Sequence, residues 1–256
     1  MKKKILWALF IVFCFFSIAA GSETEKVIIS AHPGYPPISW QQQDTLVGVA
    51  VEMAEQIFTE LGIPYEIRVT GPWARVQIAA KHGDIDVIAA AYKNPERETF
   101  MDYTLPFMKD PVVVFVWKGK SFPFNRWEDL IGKQGGTNIG ESYEKEFDRF
   151  MDQKLTMTKV PKTIQNFKKL EKGRIDYFVF GLYPGLADAS TTGYEDKIEV
   201  LPQPVVNADF YMAFSKKSAF RHLIPEIDNI IERYKKEGKI EKWIAFYLAY
   251  YKKSKK

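Results

Sequence analysis

Cysteine is almost absent. The only one in 256 residues is Cys14, inside an apolar run near the N-terminus. The chain therefore has no disulfide framework and no cysteine metal site. Histidine is nearly as scarce. His32, His82 and His222 lie far apart, and none shows the His-x-x-x-His spacing of a metal motif. A Gly-x-Ser-x-Gly elbow and a Gly-rich phosphate loop are both missing, as is any Gly/Ser- or Pro-rich linker. Charge of one sign is also lacking: 36 Lys and Arg stand against 32 Asp and Glu, which gives no electrostatic argument for nucleic acid.

Long hydrophobic runs are confined to one place. Lys2, Lys3 and Lys4 precede an apolar stretch from Ile5 to Ala20 that only Ser17 interrupts. The stretch is shorter than the roughly 20 residues that span a bilayer. It closes on small residues, Ser17-Ile18-Ala19-Ala20-Gly21-Ser22. This is the pattern of a cleaved signal peptide over residues 1–21, cut near 19–22, the alternative being an uncleaved N-terminal anchor. Cys14 follows Phe13 rather than a small residue and lies within the run, so a lipoprotein is not expected. Removing the three lysines takes the formal charge from +4 to +1. The remaining chain, about 235 residues, is long enough to build a core without disulfides.

What is present alternates between strand and helix. Val27–His32 reads as a strand running into a Pro/Gly loop. Val49–Leu61 is helical, with Ala50, Met53, Ala54, Ile57 and Leu61 on one face and Gly62 as its stop. Tyr65–Val69 reads as a strand, Trp73–Lys81 as a helix stopped at Gly83, and Ile85–Ala91 as a buried strand. The β-α-β-α-β order implies a mainly parallel sheet covered on both faces. A second unit follows: strand Val112–Trp117, a helix from about Ser142 to Phe150, strand Leu155–Val160, a helix N-capped by Thr163, and strand Ile175–Phe180. Phe210–Phe214 reads as a crossover returning to the first unit. The C-terminal stretch is helical, with an apolar stripe at Ile227, Ile230, Ile231 and Tyr234, a break at Gly238, and a second run from Ile240 to Tyr247. His82-Gly83-Asp84-Ile85-Asp86-Val87 echoes Lys172-Gly173-Arg174-Ile175-Asp176-Tyr177, which suggests two related halves.

Ordered along the chain are Tyr35-Pro36-Pro37-Ile38-Ser39, Gly48, Leu61-Gly62, Pro72-Trp73-Ala74-Arg75, Gly83-Asp84-Ile85-Asp86, Asn94-Pro95-Glu96-Arg97 and Phe107. Gly140-Glu141-Ser142-Tyr143, Gly173-Arg174-Ile175-Asp176, Ala213-Phe214-Ser215-Lys216 and Lys236-Glu237-Gly238 through Trp243 continue the series. Each motif is weak alone, but the ordered set, covering nearly the whole chain after residue 21, resembles the family 3 extracellular solute-binding proteins. These are polar amino-acid binders of bacterial ABC importers, and the Pro-Trp-x-Arg form is similar to a divergent branch. The resemblance implies an α/β, two-lobed periplasmic-binding-protein fold (type II, Venus-flytrap) with two hinge strands. It places lobe 1 at residues 26–113 plus 212–256 and lobe 2 at 114–211. It further implies a periplasmic monomer without cofactor or metal. The expected partners are a small-molecule ligand, an amino acid or related carboxylate, and an ABC importer permease.

The resemblance gives Arg97 the role of holding the ligand's α-carboxylate. A guanidinium suits that role because it makes two parallel hydrogen bonds to a carboxylate, and Arg97 follows the C-terminal end of a strand, where α/β sheets place ligands. The alternative is a surface arginine after a turn. Asn94 stands where the family often has a threonine assisting the same group. Tyr35 and Trp73 resemble the aromatic pair that sandwiches the ligand side chain, against ordinary core packing. Arg75 either faces the cleft or is a solvated helix residue. Gly140, Glu141, Ser142 and Tyr143 are expected to open the first helix of lobe 2, where free N–H groups favour an anion; Ser142 is the expected contact, or a plain N-cap. One departure stands out. Family members carry an aspartate after the Ile175–Phe180 strand for the ligand's ammonium group, and here Gly181 takes its place. Glu141, or failing that Asp209, is expected to substitute; otherwise the ligand lacks an α-ammonium. An enzyme of the dehydratase type on this fold would need a positioned acid or base, for which Glu141 is the sole candidate. A periplasmic ligand sensor is the other alternative.

Overall fold

The fold is that of a computed structural model, and the structure describes residues 25–254. The signal-peptide expectation for residues 1–21, Cys14 included, lies outside the described residues.

The first half of the chain contains β1 (Val27–Ser30), β2 (Gly34–Tyr35), β3 (Ser39–Gln42), β4 (Thr45–Val47), α1 (Val49–Glu60), β5 (Tyr65–Ile67), α2 (Trp73–His82), β6 (Val87–Tyr92) and the short α3 (Pro95–Glu98). A long strand, β7 (Met101–Trp117), leads away from it. Then come β8 (Gln134–Asn138), α4 (Lys145–Lys154), β9 (Thr156–Val160), α5 (Thr163–Glu171), β10 (Tyr177–Gly181), α6 (Leu182–Thr192) and β11 (Ile198–Val200). The return strand β12 (Val206–Ser215) and helices α7 (Ile224–Lys236) and α8 (Lys239–Ser254) complete the described chain.

The main sheet runs in the order β5-β1-β6-β12-β7-β10-β8-β9, with β11 also on β7. The strands at its two ends pair in parallel: β5 with β1 and β1 with β6, then β10 with β8 and β8 with β9. Between them lies the antiparallel pair β7 and β12. Two parallel α/β halves are therefore joined by two crossing strands. This is the two-lobed α/β architecture expected from the sequence. The halves are built alike down to one detail. Asp86 accepts the Ile28 N–H at 2.9 Å while its own N–H reaches the Ile28 carbonyl at 2.8 Å. Asp176 does the same with Gln134, at 2.7 Å in both directions. Gly83 and Gly173, at φ 84° and 60°, stop the helix ahead of each aspartate, a backbone turn that glycine adopts without steric cost.

Three sequence expectations need correction. The strand predicted at Val112–Trp117 begins eleven residues earlier, at Met101. Pro106, Asp110 and Pro111 break its alternation, and β12 accommodates them through register shifts between Phe210 and Ala213. The helix predicted from Ser142 begins at Lys145, because the Asp148 carboxylate folds back to accept the Tyr143 N–H at 3.0 Å and the Ser142 hydroxyl at 2.6 Å. Thr163 is the first residue of α5, not its cap. Lys162 holds that position, and Thr163 accepts from Asn138 at 3.1 Å.

The core is rich in aromatic rings: Phe58, Phe115, Phe147, Phe167, Phe178, Phe180 and Phe214 are fully buried. Each contributes about 1.5–3 kcal/mol of transfer free energy on burial. Helix α8 touches both halves, through Tyr247 to Glu52 of α1 at 2.9 Å and Tyr251 to Asp188 of α6 at 3.0 Å.

The repeated aspartate generates a prediction. Asp86→Ala and Asp176→Ala each remove the acceptor for one backbone N–H, and each is expected to lower stability by about 1 kcal/mol. Urea unfolding should show similar drops in midpoint with an unchanged slope. A drop confined to one variant would show that the two anchors are not equivalent.

Candidate ligand-binding site

The site forms where the C-terminal ends of β1 and β6 meet the loop ahead of α4. His32, Tyr35, Ile38, Trp73, Tyr92, Arg97, Glu141 and Phe210 wall a cavity of ≈ 20 Å³. That is room for about one water, so any larger molecule enters only if the halves part. An open groove of ≈ 610 Å³ adjoins it, sharing His32, Trp73 and Glu141, and continues between Trp40 and Pro72 on one side and Ile139 and Pro161 on the other.

Arg97 is 3% exposed. Its Nε donates to Gln77 Oε1 at 2.9 Å and its Nη1 to the Tyr92 carbonyl at 3.0 Å. The guanidinium lies 5.2 Å from the Trp73 ring centroid, a cation–π distance. Among the described residues no carboxylate lies within ion-pair distance of it. Burial lowers its pKa, yet an arginine stays charged in a protein. A buried, oriented and unpaired positive charge is costly, and here it faces the cavity. The local sequence explains its placement. Asn94 caps α3, accepting the Arg97 N–H at 2.8 Å with Pro95 as the first helical residue.

A second polar cluster borders the same space. Tyr35 Oη and Tyr92 Oη are 2.6 Å apart, and each is 2.9 Å from Asp110 Oδ2. Burial, the largest cause, pushes both phenol pKa values well above their usual range, so both hydroxyls keep their protons. The third polar element is Glu141. Its side chain is 5% exposed and its Oε1 has no hydrogen-bond partner, with His32 Nε2 3.4 Å away. That approach comes without hydrogen-bond alignment. His32 Nδ1 accepts the Gly34 N–H at 2.9 Å, which leaves Nε2 to carry the ring proton toward Glu141.

Of the residues singled out from sequence, Arg97, Tyr35, Trp73 and Glu141 meet around the cavity. Asn94 and Ser142 line neither the cavity nor the groove; they clasp the two halves together, Asn94 Nδ2 donating to Ser142 Oγ at 2.6 Å. Gly140 packs against Trp73, and a Cβ there would sit 3.4 Å from its ring at a φ of +83°. Tyr143 turns away into the core, bonded to Thr137 at 2.7 Å and to the Val179 carbonyl at 2.9 Å. Arg75 is exposed and lines neither space. The helix N-terminus expected at Ser142 is not there, since Asp148 already occupies the Ser142 hydroxyl and the Tyr143 N–H. Asp209 lies opposite Lys109 at the β7–β12 pairing and does not wall the cavity. Sequence reasoning passed over His32, Gln77, Tyr92 and Asp110. His32 and Tyr92 had a usable signal, each falling at or just past the C-terminal end of a parallel strand.

The family described as bacterial extracellular solute-binding proteins, family 3, matches residues 27–249. The L-cystine-binding protein TcyJ of Escherichia coli K12 is 25% identical over 229 residues, 87% of this chain and 84% of that protein. Among solved structures, the amino acid ABC transporter substrate-binding protein AbpA from Streptococcus pneumoniae, bound to L-arginine, superposes with a TM-score of 0.71 at 20% identity. It covers 88% of this chain and 95% of its own. A histidine kinase sensor domain similar to periplasmic binding proteins gives a TM-score of 0.72 at 20% identity, covering 87% and 96%. TcyJ and AbpA are binding proteins by name, and the fold shared with the solved structures is the two-lobed one.

The clasp between the halves can be tested. In a double-mutant cycle of Asn94→Ala and Ser142→Ala, thermal unfolding is expected to show a coupling of about 0.5–1.5 kcal/mol. Strict additivity would mean that the two side chains do not meet in solution.

Proposed function

Because the chain belongs to the bacterial extracellular solute-binding proteins of family 3, we propose that it captures a small polar solute, an amino acid or related carboxylate, and delivers it to an ABC importer permease. The observation that carries this reading is Arg97: a guanidinium 3% exposed, fixed at two of its nitrogens, with no acidic partner, aimed into a space between two halves. A ligand carboxylate supplies the missing partner with two parallel hydrogen bonds. Tyr35 and Trp73 flank the same space, and Glu141, its Oε1 without a partner, accepts from a donor on the ligand. Two charges of opposite sign across one cavity suit a zwitterion better than a plain organic acid. The cystine-binding relative and the arginine-bound neighbour support this ligand class.

Capture requires motion, since the walled space holds about one water. In this reading the hinge lies near Asp110 to Val114 and Ala208 to Tyr211, where β7 passes from pairing with β12 to pairing with β10. It separates lobe 1 (26–113 plus 212–256) from lobe 2 (114–211). The protein is exported to the periplasm through a signal peptide over 1–21 and acts there as a monomer without catalysis. Family membership supports delivery to a permease; the fold alone is neutral, being shared with a kinase sensor domain.

A thermal-shift screen of amino acids, amines and organic acids identifies the ligand, since 100 times the dissociation constant adds about 2.7 kcal/mol of stability. With the best hit, Arg97→Ala is expected to cost roughly 2–5 kcal/mol of binding free energy, and Arg97→Lys somewhat less. Glu141→Gln should weaken an amine-bearing ligand. Unchanged affinity of Arg97→Ala by calorimetry would remove the carboxylate-clamp assignment.

A further inference from the structure

We infer that Asp110, with Tyr35 and Tyr92, forms a proton-exchanging subsite beside the Arg97 cavity, holding a proton in the arrangement seen here and releasing it when a protonated amine of the ligand takes its place. The inference rests on the reading that the cleft captures an amino-acid-like solute.

The first argument is a count of protons. Tyr35 Oη, Tyr92 Oη and Asp110 Oδ2 make a triangle with sides of 2.6, 2.9 and 2.9 Å. Each side is a hydrogen-bond distance and needs one hydrogen between its oxygens. The two phenols supply two. If Asp110 were ionised, one side would set lone pair against lone pair in the protein interior. A proton on Oδ2 completes the ring, and each oxygen then donates once and accepts once.

The second argument is the setting. Asp110 is 0% exposed. Among the described residues no cationic side chain comes within ion-pair distance of it, and its Oδ1 receives only a long contact, from the Tyr183 N–H at 3.4 Å. The titratable groups facing it are Tyr35 from β2, Tyr92 from β6 and, farther off, Glu141 from the loop before α4. His32 packs edge-on against Tyr35 with ring centroids 5.4 Å apart, and Arg97 donates to the Tyr92 carbonyl at 3.0 Å, while Phe180 and Phe210 pack on Tyr35 and Gly181 adjoins the ring without charge. Burial, outweighing the Tyr92 and Tyr35 hydrogen bonds, pushes the Asp110 pKa up to about 7.

Gly181 explains why the ring sits where it does. Its φ of −59° is open to any residue, so glycine is not required for conformation. It is required for space: a Cβ there would overlap both the Tyr35 hydroxyl and the Asp110 carboxylate. The carboxylate of β7 thus fills the room at the end of β10 that a side chain at 181 would need.

The exchange balances. The ligand's R–NH₃⁺ donates N–H to the hydroxyl oxygens of Tyr35 and Tyr92, which wall the cavity. Both hydroxyls then turn their hydrogens to Asp110, and the proton on Oδ2 leaves for solvent. One cation enters and one proton departs. The sign for pH follows. The carboxyl holds its proton more tightly in this arrangement than its ordinary value of 3.8. The ring is therefore fully stabilised below pH 3.8 and loses that stabilisation as pH rises through about 7, while affinity for an amine gains over the same interval.

Infrared difference spectroscopy on the full chain, between about pH 5 and pH 9, follows the carboxylic C=O band that disappears in Asp110→Asn. The band is expected to titrate near pH 7, and methylammonium chloride should move the midpoint down relative to sodium chloride at equal ionic strength. Asp110 already ionised at about pH 5.5, or a midpoint that methylammonium leaves in place, overturns the inference. Any amino acid that binds in the thermal-shift screen supplies a second arm, by calorimetry in buffers of different ionisation enthalpy. About one proton should be released near pH 6, with affinity falling about tenfold per pH unit below 7. Glu141→Gln should keep that release and Asp110→Asn should lose it; binding near pH 6 without release overturns the inference. If Asp110→Asn fails to fold, Tyr92→Phe serves instead, and should move the midpoint up because the ionised carboxylate loses one of two donors. If no amino acid binds, the amino-acid reading falls, and the methylammonium arm still decides the subsite.

Discussion

A buried guanidinium without an acidic partner is the constraint around which the cleft is organised. Leaving Arg97 in that state is unfavourable, and the surrounding sequence is spent on tolerating it. Gln77 and the Tyr92 carbonyl take two of its nitrogens, Trp73 offers its ring face, and Asn94 fixes the first turn of α3 beneath it. All four groups belong to elements at the C-terminal edge of the parallel strands β1 and β6. The same space also holds acid: Glu141 walls it, and Asp110 reaches it through the Tyr35 and Tyr92 hydroxyls. A site built this way is poorly complemented by its own side chains and well complemented by a zwitterion.

The architecture makes such a site reversible. The two parallel halves touch through few polar contacts near the cavity, the Asn94–Ser142 clasp and the His32–Glu141 approach among them, while β7 and β12 run continuously between them. Strands of that kind bend at a few residues without losing their ladder, the usual device of hinge closure. Asp110 pairs with Ala208 of β12, two residues before β7 takes up β10 at Val112. The acid of the polar ring is therefore also a residue of the proposed hinge.

Much of this was legible in the sequence. The alternation of apolar strands with amphipathic helices, most of them stopped by a glycine, gave the two parallel halves, and the Gly-x-Ile-Asp echo marked an anchor that recurs with the same hydrogen bonds in both. Arg97, Tyr35 and Trp73 were readable because each stands beside a proline or at a helix start just past a strand end. The first part of β7 was not readable, because Pro106, Asp110 and Pro111 destroy the period-two pattern that identifies a strand. The ring was hidden for a different reason. Tyr35, Tyr92, Asp110 and Gly181 are separated by tens of residues, and only packing shows that the glycine is small to make room for an acid on another strand. In the proposed reading, the carboxylate that position 181 lacks is supplied by Asp110 from another strand. The N-terminus expected at Ser142 failed because Asp148, six residues on, captures the groups that would have faced a ligand.

The central claim is that two halves close on a small solute that neutralises Arg97. Small-angle X-ray scattering, with and without a saturating ligand from the thermal-shift screen, measures that closure directly. A smaller radius of gyration with ligand, and no such change for Arg97→Ala under the same conditions, is the result this account predicts. An unchanged scattering profile for the wild-type protein at saturation would contradict it.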